Sequence, residues 1–460
     1  MISNSALPFA MPSSDVFFAS PKKVFAHYFR SFGLSIDNQP ATTDYYNMQF
    51  LSIGGENGKH AAYGGYLRQR SLPVTPSILA TWKQFNMETE VQMAIARGIT
   101  GFCFDILSLT DGFLQTMLSA VEAADPRFTI IPMLDMRSLG AITVAQAATY
   151  LESIASSPAL KRLPDGRLVL AAYNAPLQPP SWWLSLIETL NAQGINVAFV
   201  PVLPGAPADA GALNAISYGT GGWGTATPAP SAALTAAGAH LAGLKYMSPV
   251  IPQQFRPKNQ IFWEASNSVT FRNAWMAAIN TGADWVQCVT WNDFSESGQV
   301  CPYTDATLNG AIGTAFYDLT AYYAAWFITG IQPAITQDVL YWIHRLETAS
   351  SAHLQPDGFT AVGGPEEDSI ELLAFLTAPG ALQITINGVT HTQAAPTGIT
   401  SFKVPLSAGI PVFTLQRNGS NVFSGRSVQI HGPEGLPSGV LDMTYWGGSI
   451  TKAGATAYGL

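Results

Sequence analysis

The sequence predicts an α/β fold: a (β/α)8 TIM barrel followed by a C-terminal antiparallel β-sandwich. Two patterns predict it. Up to about residue 300, eight apolar runs of strand length alternate with segments of helical pattern, as in a parallel sheet covered on both faces. Beyond Ser369 the hydrophobic period shortens to two, and the turns carry Asn-Gly pairs typical of hairpins.

The eight runs cover residues 24–29, 101–107, 128–135, 167–173, 196–202, 215–218, 245–250 and 285–291. The count of eight selects a closed barrel over a doubly wound sheet, and the sixth run is the weakest. Helices are expected between them, over 89–96, 111–124 with Asp111 as cap, 143–156, 181–193, 231–241 and 268–280. Gly98, Gly194 and Gly282 stand where three of these should stop. Residues 312–327 and 338–347 read as helices that close the barrel. Strands follow at 370–376, 382–386, 400–404 and 412–417, with turns at Asn387-Gly388, Ala408-Gly409 and Asn418-Gly419. The chain therefore divides into an N-terminal extension (1–20), a catalytic barrel (21–349), a linker (350–368) rich in Ser, Gly, Pro and acid, and a β-sandwich with a C-terminal tail (369–460).

Composition narrows the function. Hydrophobic residues make up 47% of the 460 residues, enough for a large core. Charged residues make up only 11%, against roughly 25% in an average soluble domain. The net charge of −8 and the absence of a Lys/Arg cluster exclude a nucleic-acid partner. No apolar run is long enough for a transmembrane helix, so no membrane partner is expected. Cys103, Cys288 and Cys301 form neither a disulfide framework nor a zinc spacing, and no metal or cofactor is expected. Residues 1–20 lack the basic n-region of a Sec signal, yet action outside the cell or at its envelope is expected. The sequence is silent on oligomeric state.

In a parallel barrel, functional groups gather where strands end, at the C-terminal face. The polar residues there are His27, Arg30, Asp105, Asp135, Arg137, Asn174, Gln253, Gln254, Asn292, Asp293 and Glu296. Only 30 carboxylates exist in the chain, and four of them fall at or just past strand ends. Asp293 and Glu296 share one short loop, where two acids repel unless they have separate tasks. Tyr28, Tyr63, Tyr66, Tyr173, Trp223, Trp263 and Trp291 lie near strand ends or in loops. Carboxylates among aromatics and amides are the composition of a glycosidase cleft. Residues 54–60 resemble a phosphate loop only superficially, lacking its GK[ST] ending, and are expected to form part of the cleft rim.

Several motifs, in order, resemble glycoside hydrolase family 71, the α-1,3-glucanases or mutanases. They are Val24-Phe25-Ala26-His27-Tyr28, Gly98-Ile99-Thr100-Gly101-Phe102, Met133-Leu134-Asp135-Met136, Tyr246-Met247-Ser248-Pro249-Val250 and, most specific, Thr290-Trp291-Asn292-Asp293-Phe294-Ser295-Glu296-Ser297. The resemblance covers about residues 22–430. It implies an inverting endo-hydrolase of α-1,3-glucan or a related polysaccharide, with Asp293 and Glu296 as catalytic acids and Asp105 as a third. His27, Arg30, Asp135, Arg137, Asn174, Trp223, Trp263, Trp291 and Asn292 are the expected substrate contacts, with Trp291 and Asn292 lining the pocket at the cleaved sugar. Three departures stand out. Gln287 replaces a usual Glu, Gln299 a usual His, and the segment 33–74 is longer than the family's norm. The alternative reading is a non-catalytic carbohydrate-binding or surface or phage structural protein on a glycosidase fold.

Overall fold

The computed structural model describes residues 7–204, 210–229, 236–305, 311–354 and 359–455. Eight parallel strands close on themselves: β1 (Lys23–Tyr28), β2 (Gly101–Ile106), β3 (Thr129–Asp135), β4 (Leu168–Tyr173), β5 (Val197–Leu203), β6 (Gly219–Gly222), β7 (Lys245–Val250) and β8 (Trp285–Cys288). Closure comes at β1, where Lys23 pairs with Trp285 on one side and Phe25 with Gly101 on the other. Alternate side chains fill the bore, among them Phe25, Cys103, Met133, Val169, Val200 and Met247. The outward set, including Val24, Phe102 and Leu170, packs under the helices. Burial on both faces is why these strands read as continuous apolar runs.

The sixth strand lies four residues beyond the expected 215–218, at Gly219-Thr220-Gly221-Gly222. A Cβ on Gly219 would stand 3.0 Å from the Lys245 carbonyl, and one on Gly221 3.2 Å from the Met247 methyl. Close approach of β7 thus favours residues without side chains here, and hydrophobic periodicity cannot register a glycine strand. Helix starts follow local capping. Thr143 forms a full capping box with Gln146 before Val144–Ile154. Asp111 accepts from the Phe113 amide (3.1 Å), with Gly112 at the cap of Phe113–Ala124. The expected helix 231–241 is described only from Ala236 to Leu241; its first residues lie outside the described residues.

The segment 338–347, expected as a helix, holds a strand instead. Val339–His344 is the middle strand of a five-stranded antiparallel sheet, between Ser369–Leu376 and Trp446–Thr451. All six of its residues are buried, so it shows no alternation to betray a strand. Part of the expected linker is also ordered, as Thr360–Val362 pairs in parallel with Ile261–Trp263. The second sheet holds Gly380–Ile386, Val389–Ala395, Val412–Arg417 and Ser420–Arg426. Its two hairpins turn at Asn387-Gly388 and Asn418-Gly419, all four with positive φ, as a type I′ turn requires. A Cβ on Gly425 would lie 2.8 Å from Ile450, so the two sheets press together there. Ala315–Thr329 lies against the barrel, where Asp318 meets the fully buried Arg97 at 3.0 Å. No helix among the described residues is long and apolar enough to cross a membrane.

Candidate active site

The loop leaving β8 carries the two acids, and its own hydrogen bonds fix it. Trp291 N–H donates to the His27 carbonyl (2.7 Å), tying the loop to the end of β1. Thr290 N–H donates to the Gly298 carbonyl (2.7 Å), and Thr290 Oγ1 accepts from Asp293 N–H (2.7 Å). Asp293 Oδ1 then accepts from Ser295 Oγ (2.7 Å), Ser295 N–H (2.9 Å) and Glu296 N–H (3.2 Å).

The two carboxyls sit in different electrostatic settings. Burial, and secondarily the charge of Glu296, push the Asp293 carboxyl up to about 7. Glu296 is partly exposed, and its Oε2 accepts from Arg256 (2.6 Å) and from the Gln254 amide (2.6 Å). Arg256 in turn stacks over Trp263, 5.0 Å from the ring centre. One carboxyl is buried with its pKa raised, and the other is ion-paired and partly exposed.

His27 lies beneath this loop, fully buried. The Gln287 amide nitrogen stands 3.3 Å from His27 Nδ1, and Asp105 Oδ1 stands 3.6 Å from Nε2. With the amide donating, the ring proton sits on Nε2 and faces Asp105. Burial raises the Asp105 carboxyl above its usual range. The His27 ring meets Trp223 edge-on at 4.8 Å, and Trp223 packs on Tyr173 at 4.5 Å. Tyr173 lies within the fields of Glu296, Arg256, Asp135 and Arg137, so these residues share one mouth. Tyr66 stands at its other side, its hydroxyl pushed up to about 12 by burial and by Asp293.

The expected site residues divide accordingly. His27, Asp105, Trp223, Trp263, Asp293 and Glu296 converge. Asp105 has no exposed surface and stands behind His27, so it positions that ring rather than meeting substrate. Asp135 caps the turn Met136–Leu139 through Arg137 N–H (2.7 Å) and Ser138 N–H (3.0 Å), leaving Arg137 exposed on the rim. Arg30 is engaged by Asp111 at 2.9 Å and lies over Phe113. Asn174 ends β4 with a left-handed backbone (φ 54°).

Two expected contacts are corrected. Trp291 is fully buried away from the mouth, against Phe102 and Tyr317, with its indole N–H on Glu90 (3.2 Å). Asn292 is fully buried as a clamp: Oδ1 accepts from Phe29 N–H (2.8 Å), and Nδ2 donates to the carbonyls of Phe29 (2.9 Å) and Phe32 (3.0 Å). Both side chains thus anchor the loop that carries Asp293 rather than line the mouth.

Arg256 and Glu90 were not among the sequence candidates, and Tyr66 was named only among the aromatics near strand ends or in loops. Arg256 lies on the short strand Gln254–Arg256, in a polar stretch with no period. Its signal was scarcity, since the chain holds only 22 Lys and Arg residues. Glu90 is buried in the helix Trp82–Ile95 and bonded to Tyr28 Oη (2.8 Å). The three cysteines are free and buried. No metal-ligating cluster occurs among the described residues.

The description of glycosyl hydrolase family 71 matches residues 76–458. The chain belongs to glycosyl hydrolase family 71. As a family 71 glycoside hydrolase it is an enzyme. An ascus wall endo-1,3-alpha-glucanase of Schizosaccharomyces pombe is 25% identical over 389 residues, covering 75% of this chain and 88% of the relative. A glucan endo-1,3-alpha-glucosidase of the same yeast is 22% identical over 377 residues (75% of this chain, 87% of the relative). A mutanase of Penicillium rubens is 25% identical over 372 residues (76% of this chain, 80% of the relative). Among solved structures, the GH99 endo-alpha-mannosidase of Bacteroides thetaiotaomicron overlays with a TM-score of 0.51 at 14% identity. That overlay covers 66% of this chain and 97% of the other, and it shows a shared fold. In this family 71 hydrolase the matched region begins after β1 and the segment 33–74.

Proposed function

We propose that this hydrolase is an endo-acting α-1,3-glucanase that cleaves with inversion, using Asp293 as general acid and Glu296 as general base. The observation that carries the reading is the asymmetry of that pair. Asp293 is buried and pushed up to about 7, while Glu296 is ion-paired to Arg256 three residues further along one loop.

The protonated Asp293 carboxyl donates to the glycosidic oxygen as the bond to the leaving sugar breaks. The Glu296 carboxylate takes a proton from a water that attacks the anomeric carbon from the opposite face. Arg256 and Gln254 both donate to Glu296 Oε2 and orient its carboxyl for that role. Trp223, Tyr173 and Trp263 offer rings against which apolar sugar faces pack. His27, set by Gln287 and Asp105, supports Trp223 from below. The linkage follows the names of the yeast and Penicillium relatives, and inversion follows the family resemblance.

Reducing-end release from α-1,3-glucan tests the reading. Asp293→Asn and Glu296→Gln are expected to lower turnover by at least a thousandfold with unchanged circular dichroism. Near-normal turnover by both variants would overturn the assignment of the acids. Binding of the glucan with no release by the intact chain would favour the non-catalytic alternative.

A further inference from the structure

The segment 33–74 precedes the region shared with the family, yet it forms one wall of the active-site mouth. Its placement is rigid. The Arg68 guanidinium donates to the Leu441 carbonyl (2.8 Å), Gln69 donates to Thr444 Oγ1 (2.7 Å), and Gln299 from the catalytic loop donates to Gln69. At Gly64 (φ 77°) a Cβ would stand 2.6 Å from Val440, so the backbone lies directly on the C-terminal region. Phe50 fixes Tyr66 by accepting from Tyr66 N–H (3.0 Å) and Leu67 N–H (2.9 Å).

Inside this wall Glu56 adopts a left-handed backbone (φ 50°), followed by Asn57 (φ 60°), an uncommon pair for residues other than glycine. The conformation lets one carboxyl meet Tyr45 Oη (3.0 Å) and His60 Nε2 (3.1 Å). His60 stacks on Tyr66 at 4.5 Å, and Tyr66 feels the charges of both Asp293 and Glu296. Between this wall and the turn Pro257–Asn259 lies a cavity of about 240 Å³, lined by Phe50, Glu56, His60 and Tyr66 and bordered by Lys59 and Lys258. Both lysines are exposed, and neither ammonium group has an ion pair or hydrogen bond among the described residues.

We propose that this cavity is a glycan subsite next to the catalytic pair, in which Lys59 and Lys258 donate hydrogen bonds to hydroxyls of one neutral glucosyl unit of the bound chain. The inference rests on the glucanase reading and adds to it a specificity element outside the family-matched region. The cavity combines what a sugar ring needs: aromatic walls from Phe50 and Tyr66, and unengaged donors at its edge.

The test is a Lys59→Ala/Lys258→Ala double variant assayed with the full chain on α-1,3-gluco-oligosaccharides of graded length. Neither lysine belongs to the acid–base machinery, so kcat should stay within about twofold. KM for oligosaccharides long enough to fill the subsite should rise by at least about tenfold, as expected for losing the charged hydrogen bonds of both lysines. The preferred cleavage position should shift along the chain, while the shortest cleaved oligosaccharide keeps its KM. Wild-type hydrolysis with unchanged KM and product sizes in the double variant overturns the subsite alone. Failure of the wild-type chain to release reducing ends from any α-glucan overturns the glucanase reading and the subsite with it.

Discussion

The guanidinium of Arg256 lies 2.6 Å from the carboxylate of Glu296. The two come from different strands' loops, so the barrel mouth assembles the pair rather than local sequence. The contact is partly exposed, and its worth lies in orientation more than in stability. It engages Oε2 of Glu296 three residues along the loop from the buried Asp293.

Arg256→Ala should therefore cost activity more than stability. We expect kcat/KM to fall by at least tenfold, with the denaturation midpoint nearly unchanged. Arg256→Lys should recover part of the loss, because a lysine restores the charge but not the planar fork or the stack on Trp263. Steady-state kinetics of the two variants on α-1,3-glucan check this.

Stability should fall as pH rises from about 5 to 8. Burial pushes Glu90 up to about 8, and burial pushes Asp293 and Glu347 up to about 7. Each holds a proton in the folded chain that the unfolded chain has released above about pH 4.5. The folded state then binds more protons than the unfolded one, and the linkage slope is negative across that window. Below it the sign reverses, because Asp338 and Glu367 are held below their usual range by Arg417 and Lys403 against the opposing effect of burial. Urea denaturation at pH 5 and pH 8 reads the difference, and Glu90→Gln should flatten it while keeping hydrogen bonds to Tyr28 and Trp291.

Asn292 and Arg137 were expected to share one role, and the structure separates them. Asn292→Ala strips partners from one buried N–H and two buried carbonyls and should destabilise the fold by about 3 kcal/mol. Arg137→Ala, on the exposed rim, should stay within about 0.5 kcal/mol. Chemical denaturation of the two variants, side by side, checks the contrast.

The same pair shows what the sequence could convey. Seven of the eight barrel strands were legible because burial on both faces leaves a long apolar run. β6 was displaced because its glycines leave no hydrophobic trace. Val339–His344 was read as a helix because complete burial removed the period of two that marked its neighbours. The acids were legible because charge is scarce and both stand in one short motif. The inward turn of Trp291 and Asn292 was not, since it depends on carbonyls of Phe29 and Phe32 that sequence brings no closer than 260 residues. The wall formed by Glu56, His60 and Tyr66 was foreseen only as a rim, because its contacts reach across the fold to Ser295 and Val440.

The most direct test of the acid–base pair is the anomeric configuration of the product at the moment it forms. Proton NMR during the first minutes of α-1,3-gluco-oligosaccharide hydrolysis resolves the new reducing end before it mutarotates. Single displacement by a water activated at Glu296 predicts that the β-anomer appears first and the α-anomer grows in later. The α-anomer appearing first would mean a covalent intermediate and would contradict the roles assigned to Asp293 and Glu296.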